Sequence, residues 1–357
     1  MQIEKKDIRA LSKEQLRDFF ISNQDKAFRG NQVYEWLWSK GAHSFDDMTN
    51  VSKETRLMLE DNFVINHIKV DTMQRSSDGT VKNAVRLYDG LIVESVLIPT
   101  GNRTTACVSS QVGCSLDCSF CATARLKKMR NLNPDEIFDQ VAAINQESLL
   151  YYNHKLSNVV FMGMGEPMAN YKSVMHSIRN ITNPQPDGLG IGARSVTLST
   201  VGLVSGIEKL IAEDLPVTLA ISLHTPDDEL RDSLVPVNSR WKVKEVLAAA
   251  DRYEAKTGRR YSIEYALIRD INDQVWRADL LGRLLKNKNA HVNLIPLNPT
   301  PGSKWTASRH EDEAAFVETL EGYGVPVTVR DTRGREIDGA CGQLAASELS
   351  NNSKDEK

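Results

Sequence analysis

Up to about residue 63 the apolar residues recur at a helical period, and from residue 65 they shift toward every second position, so the secondary-structure type changes there. Leu11-Ser12-Lys13-Glu14-Gln15-Leu16 opens one helix, with Ser12 as cap and Gln15 three residues on, and residues 31–40 form another stretch rich in aromatics. Between residues 65 and 99, Asp78-Gly79 and Asp89-Gly90 punctuate strand-like runs ending in Leu91-Ile-Val-Glu-Ser-Val-Leu-Ile98, the pattern of a short β meander. After Thr104 a βα rhythm takes over. It predicts strands over residues 104–109, 158–162, 195–199, 217–223, 261–268 and 291–295, separated by amphipathic stretches of helix length. Asn133-Pro134-Asp135-Glu136 marks one helix start with a cap, a first-turn proline and two acids at the positive end of the dipole.

Six βα units imply an α/β fold with a parallel sheet, either a complete or partial barrel or an open doubly wound sheet. In both, chemistry collects at the C-terminal ends of the strands, and the unusual residues fall there. Cys114, Cys118 and Cys121 follow the first strand, Gly163-Met164-Gly165-Glu166-Pro167 the second, Thr200-Val201-Gly202 the third and His224-Thr225-Pro226 the fourth. The expected organisation is a helical module over 1–63, a β extension over 64–103, a βα core over 104–345 and a disordered tail over 346–357.

Composition sharpens this little. With 357 residues, 41% of them apolar and 25% charged, global disorder is excluded and a large core needs no covalent staples. No apolar run approaches the roughly 18–20 residues of a bilayer crossing, and the first residues are charged, so the expectation is a cytoplasmic protein without a membrane partner. A net charge of −3 does not advertise a polyanionic partner, but it says nothing of local basic patches, so nucleic-acid binding stays open. Five cysteines argue against a disulfide framework and for thiol or metal chemistry.

Their placement is more specific. Cys114-Ser-Leu-Asp-Cys118-Ser-Phe-Cys121 puts three thiols in one short loop, where they can hold a single soft metal centre. On a four-iron cluster, three ligands leave one iron open to the amino and carboxylate groups of an amino-acid cofactor. A structural zinc site with a distant fourth ligand is the blander alternative, although structural zinc normally closes its own tetrahedron. Cys107, inside a strand, reads by itself as a small buried apolar residue. Cys341 lies in Gly339-Ala-Cys-Gly-Gln343, downstream of Arg330, Arg333 and Arg335, a setting that suits a reactive thiolate.

The cysteine loop resembles that of radical S-adenosylmethionine (SAM) enzymes, whose partial βα barrel agrees with the strand count. The likeness extends through Cys107-Val-Ser-Ser-Gln-Val-Gly-Cys114, Phe120-Cys121-Ala-Thr123, Arg130-Asn-Leu132, Met162-Gly-Met-Gly-Glu-Pro167, Val196-Thr-Leu-Ser-Thr200, Ser222-Leu-His224, Leu234-Val-Pro236, Asn298-Pro299 and Ala340-Cys-Gly-Gln-Leu344. Together these resemble the RlmN-type RNA adenine-C2 methyltransferases, from Phe28-Arg-Gly-Asn-Gln-Val-Tyr-Glu-Trp36 to Leu344. Ala124 and Lys127-Lys128 depart from the family pattern where a glycine-containing stretch is expected, which bears on the shape of that loop.

The resemblance implies a partial (βα)6 radical SAM barrel that methylates C2 of an adenosine in the peptidyl-transferase centre of 23S rRNA and of the adenosine next to the anticodon in certain tRNAs. C2 is electron-poor and does not attack a sulfonium methyl, whereas a carbon radical adds to it. By the same resemblance one SAM methylates Cys341. A second, on a [4Fe-4S] cluster held by Cys114, Cys118 and Cys121, is cleaved with an electron from a flavodoxin-type donor, and the radical formed takes hydrogen from the S-methyl group. Glu94 is implied as proton acceptor and Cys107 as the thiol that releases RNA through a transient disulfide. Gly165, Glu166, Ser199, Ser222, Leu223, His224 and Asn298 are the implied SAM contacts. For RNA, Lys26-Ala-Phe28-Arg29 with Tyr34, Trp36 and Trp38 is one candidate surface, and Arg125-Leu-Lys-Lys-Met-Arg130 beside the cluster loop is the stronger one. Two rival readings stay open: the related 23S rRNA adenine-C8 methyltransferase, and a non-catalytic, zinc-stabilised RNA-binding protein.

Overall fold

A computed structural model describes residues 5–213, 215–300 and 302–345; the tail read as disordered lies outside them. Ten strands form one sheet: β1 Lys69–Arg75, β2 Val81–Arg86, β3 Ile92–Thr100, β4 Arg103–Cys107, β5 Asn158–Phe161, β6 Val196–Thr200, β7 Thr218–Ser222, β8 Tyr261–Leu267, β9 Ala290–Pro296 and β10 Val327–Val329. Their spatial order follows chain order throughout. A doubly wound sheet reverses direction part-way, so this unreversed order selects the barrel, and because β1 and β10 are unpaired edges among the described residues the barrel is partial.

Strands β4 to β10 pair in parallel, as helical crossovers require. Strands β1 to β4 pair antiparallel, so the meander expected as a separate extension is the continuation of the barrel sheet. The crossovers are α4 Pro134–Tyr152, α5 Tyr171–Thr182, α6 Val204–Ile211, α7 Asp228–Leu234 with α8 Val243–Thr257, α9 Val275–Leu285 and α10 His310–Gly322. Val196, Leu198, Leu219, Ile221, Ile263 and Leu294 are fully buried between sheet and helices, each contributing roughly 1.5–3 kcal/mol over an exposed position.

Ahead of the sheet lie α1 Lys13–Ser22, α2 Phe28–Glu35 and α3 Lys53–Asn62. The expected cap is present: Ser12 Oγ accepts from Gln15 N–H at 3.1 Å, and the Gln15 side chain accepts from Ser12 N–H at 2.9 Å. This module docks on the barrel. Arg9, 3% exposed, pairs with Asp135 and Asp139 of α4, Tyr34 Oη donates to Asn180 of α5 at 2.9 Å, and Trp38 sets its edge against Phe138. Tyr34 and Trp38 are therefore docking core rather than a base-stacking face, because the helical period turns them toward α4 and α5. Trp36 is half-buried and its indole N–H is spent on Asn50. Of that candidate RNA surface only the Lys26 to Arg29 end stays open, with Phe28 47% exposed beneath the Arg29 guanidinium. Among the described residues no helix is long and apolar enough to cross a membrane.

Candidate active site

The loop after β4 is closed by a short strand pair, Gln111–Val112 with Arg130–Asn131, and carries the three clustered cysteines. Gly113 opens it at φ +73, where a Cβ would lie 2.6 Å from the Lys127 carbonyl oxygen. The backbone N–H groups of Ser115 and Leu116 donate to the Cys114 sulfur. Burial pushes the Cys114 thiol up to about 11 and Cys118 higher still, the adjacent thiols adding to both shifts. All three cysteines line one cavity of about 1080 Å³, its open mouth included.

The other walls of the cavity come from successive strand ends. Gly165 has φ +96, and a Cβ there would sit 2.5 Å from Gln111 Cβ; the closeness admits the hydrogen bond from Glu166 N–H to Gln111 Oε1. The buried Glu166 carboxylate accepts from Met168 N–H and Val201 N–H, each at 3.0 Å. Burial nevertheless lifts it to about 7. Ser199 and Ser222, at the ends of β6 and β7, hold their hydroxyls 3.2 Å apart. His224 is left-handed at φ 63, pinned by its Nδ1 accepting from Ala266 N–H and its carbonyl accepting from the Asn272 amide. Burial pushes its ring down to about 3, so it is neutral with the proton on Nε2.

Cys341 reaches this cavity from the far end of the chain. Gly342 C=O accepts from Ala122 N–H at 2.8 Å and Leu344 C=O from Thr123 Oγ1 at 2.6 Å, which ties the Cys341 loop to the cluster loop. On the other side Asn298 Nδ2 donates to Cys341 C=O at 3.0 Å and Gln343 Nε2 to Pro299 C=O at 2.8 Å. The Cys341 side chain is reachable from the cavity yet enclosed by protein, and this desolvation raises its thiol above the ordinary value, with Arg330 opposing. Arg330 is the arginine that opposes this shift. Arg333 is paired with Asp331.

Residues 6–65 match the family described as Ribosomal RNA large subunit methyltransferase N-terminal domain, and residues 108–280 match the Radical SAM superfamily. A relative from Flavobacterium johnsoniae, described as "Probable dual-specificity RNA methyltransferase RlmN", is 59% identical over 98% of this chain and 99% of its own. One of the same description from Streptomyces coelicolor is 53% identical over 91% of this chain and 89% of its own. The chain belongs to the RlmN family of radical SAM RNA methyltransferases. A solved radical SAM methyltransferase from Sphaerobacter thermophilus superposes with a TM-score of 0.89 at 39% identity, over 96% of this chain and 99% of that one.

RlmN membership makes the chain an enzyme acting on RNA and sets aside the zinc-stabilised binding protein. Its superfamily carries a [4Fe-4S] cluster and SAM, and the cavity fits them: three thiols on one wall, backbone amides turned to Cys114, and the buried Asn298 Oδ1 left without a partner. The cavity gathers Cys114, Cys118, Cys121, Gly165, Glu166, Ser199, Ser222, His224, Asn298 and Cys341. Leu223 does not line it: it is fully buried, its N–H on Glu264 C=O and its own C=O on Arg231 Nε.

Cys107 and Glu94 also lie behind the wall. Cys107 stands opposite Val96 across β3 and β4, so it shares a sheet face with Glu94, Val96 and Ile98, and Ile98 borders the space beside Cys341. Glu94 accepts from Ala345 N–H at 2.8 Å and pairs with the buried Lys82 at 3.2 Å. Arg130, expected as a phosphate contact, is spent on Asp89 and Glu136. Lys127 and Arg125 of that run stay exposed. Sequence reasoning missed Glu264, which lines the cavity from β8 with its carboxylate on Asn293 Nδ2. The available signal was a carboxylate inside a largely buried strand, Tyr261–Leu267.

Proposed function

We propose that this RlmN enzyme methylates C2 of adenosine in the peptidyl-transferase centre of 23S rRNA and next to the anticodon of certain tRNAs, using Cys341 as methyl carrier. The observation that carries the reading is the seating of Cys341 on the same cavity as Cys114, Cys118 and Cys121, with a second thiol, Cys107, on the strand face beside it. A carbon that could attack a sulfonium itself would need neither extra thiol.

Cys114, Cys118 and Cys121 would hold the cluster, and Glu166, Ser199, Ser222, His224 and Asn298 would hold SAM. Two SAM per turnover, with the cluster and an electron from a flavodoxin-type donor, supply the methyl group for Cys341 and a radical able to take one hydrogen from it. The desolvated Cys341 pocket suits a neutral thioether better than a thiolate. Once the carrier carbon is joined to C2, Glu94, held by Lys82 and Ala345 N–H, is the acceptor for the C2 proton, and the one unpaired electron left on the ring would return to the cluster, so that a closed-shell thioether links RNA to Cys341. Cys107 thiolate then attacks Sγ of Cys341. The electron pair of the breaking S–C bond stays on carbon, which takes a proton and becomes the product methyl, and the Cys107–Cys341 disulfide is reduced before the next cycle. A transient disulfide of this kind fits a cytoplasmic enzyme.

Glu166 gives a pH-dependent test. Its carboxylate, held near 7 by burial, must be ionised to receive the SAM ammonium, so affinity for S-adenosylhomocysteine should fall as pH drops from 8 to 6, by up to about tenfold per unit. Calorimetry on cluster-reconstituted protein should find Glu166→Gln weaker at pH 8 and flat with pH. An equally steep profile in the variant would remove Glu166 from that role. For the reaction itself, the test is nucleoside mass spectrometry after incubation with SAM, reductant and unmodified RNA. The product expected is 2-methyladenosine; recovery of 8-methyladenosine alone would overturn the regiochemistry.

A further inference from the structure

Loading a methyl group onto Cys341 releases the thiol proton, because a neutral thiol is a poor nucleophile and Sγ must give up its hydrogen as it bonds to carbon. The residues that would hold the cluster and SAM offer this proton no acceptor. His224 Nδ1 already accepts from Ala266 N–H, which leaves the ring proton on Nε2. Glu166 uses one carboxylate oxygen on Met168 N–H and the other on Val201 N–H, and would face the SAM ammonium. Glu94 lies behind the wall, paired with Lys82. Among the described residues that line the cavity, the remaining carboxylate or imidazole is Glu264.

Glu264 stands midway along β8, 4% exposed, on the face that also turns Ala266 to the cavity. Asn293 Nδ2 donates to one carboxylate oxygen at 2.7 Å, and the Ser262 hydroxyl donates to the other. Asn293 lies opposite Glu264 in the sheet and Thr328 opposite Asn293. Thr328 Oγ1 donates to Asn293 Oδ1 at 3.1 Å, which turns the amide so that its N–H faces the carboxylate. These neutral donors aim Glu264 without neutralising it, since no Lys or Arg pairs with it among the described residues, and each oxygen keeps a lone pair free. A buried carboxylate without a cation is costly in a strand that apolar side chains could fill. Its charge acts on the Cys341 thiol: with Cys121 it opposes the thiolate, while Arg330 favours it. A proton passed from Cys341 to Glu264 removes that opposition as the sulfur becomes nucleophilic.

We propose that Glu264 is the proton acceptor for the loading of Cys341. The S–H bond breaks with its proton passing to a Glu264 oxygen, and Sγ bonds to the methyl carbon. The electron pair of the bond which that carbon gives up stays on the sulfonium sulfur, which becomes neutral. The proposal rests on Cys341 as methyl carrier, and its test separates the two.

Full-length, cluster-reconstituted wild-type, Glu264→Gln and Glu264→Asp proteins are incubated with SAM alone, and methylation of Cys341 is followed by intact mass and peptide mapping. The Gln side chain can still accept from Asn293 Nδ2 and donate to Ser262 Oγ, so iron content should match wild type. Loading in Glu264→Gln should slow by about 100-fold or more, the scale of a lost general base, and Glu264→Asp should recover part of that rate. Glu264→Gln protein is then held with SAM until every chain carries a methyl group, and given reductant and a target stem-loop RNA. Its first equivalent of 2-methyladenosine should form at the wild-type rate, whereas a structural defect would slow this step too. Wild-type loading by Glu264→Gln, or a first equivalent slowed as much as loading, would overturn the proposal and leave the carrier reading intact. Wild-type protein that never takes a methyl group on Cys341 would overturn the carrier reading, and this acceptor with it.

Discussion

Cys341→Ala protein, reconstituted anaerobically, retains its iron and forms no 2-methyladenosine. The retention follows from how the loop is held: the bonds from Ala122 N–H, Thr123 Oγ1 and Asn298 Nδ2 all end on backbone carbonyls, and Gln343 reaches Pro299 C=O, so none uses the Cys341 sulfur. Cys114, Cys118 and Cys121, the proposed cluster ligands, sit on another loop and keep their places. The loss of product follows from chemistry, since C2 cannot take a methyl group without a carrier whose bond to carbon later breaks. At least about 10⁴-fold is expected, the scale on which removal of a covalent catalyst acts. Iron content and nucleoside mass spectrometry read the two halves. Wild-type methylation by the variant would refute the carrier role.

Cys107→Ala fails one step later. Cys341 is still loaded and RNA still joined to it, but no thiol reaches Sγ, so protein–RNA adduct accumulates after a single event and turnover stops. The substitution is mild structurally: Cys107 is a buried residue whose sulfur takes one weak bond, from Met162 N–H. Burial holds the wild-type Cys107 thiol up near 12, with Arg330 opposing. Thiolate is therefore scarce near neutrality, and adduct release in wild-type protein should accelerate with rising pH, by up to about tenfold per unit where that step is rate-limiting. Denaturing gels of labelled RNA follow both effects. Normal turnover without adduct in Cys107→Ala would assign release to another group.

The parts of the molecule readable from sequence were those set by local pattern. Six of the seven parallel strands of the core announce themselves by apolar runs and fall within a residue or two of their observed bounds, and the cysteine loop and Gly165-Glu166 lie at the expected strand ends. What depends on pairing over long separations was not readable. Nothing local in residues 65–99 says that β3 joins β4 and so extends the barrel sheet. Three-residue β10 is too short for a period to register. Tyr34 and Trp38 carry the same helical spacing whether they face α5 and Phe138 or an RNA base, and only the docking partner decides. Arg130 and Arg330 are indistinguishable as letters, yet one is neutralised by Asp89 and Glu136 and the other borders the recess beside Cys341.

The passage of the methyl group through Cys341, with loss of one hydrogen on the way, is decided by isotope. Enzyme supplied with SAM bearing a trideuterated methyl group, then RNA and reductant, should yield 2-methyladenosine carrying two deuteriums, with the third recovered in 5′-deoxyadenosine. Product retaining all three deuteriums, with none in 5′-deoxyadenosine, would mean direct transfer and would contradict a methyl-carrying Cys341.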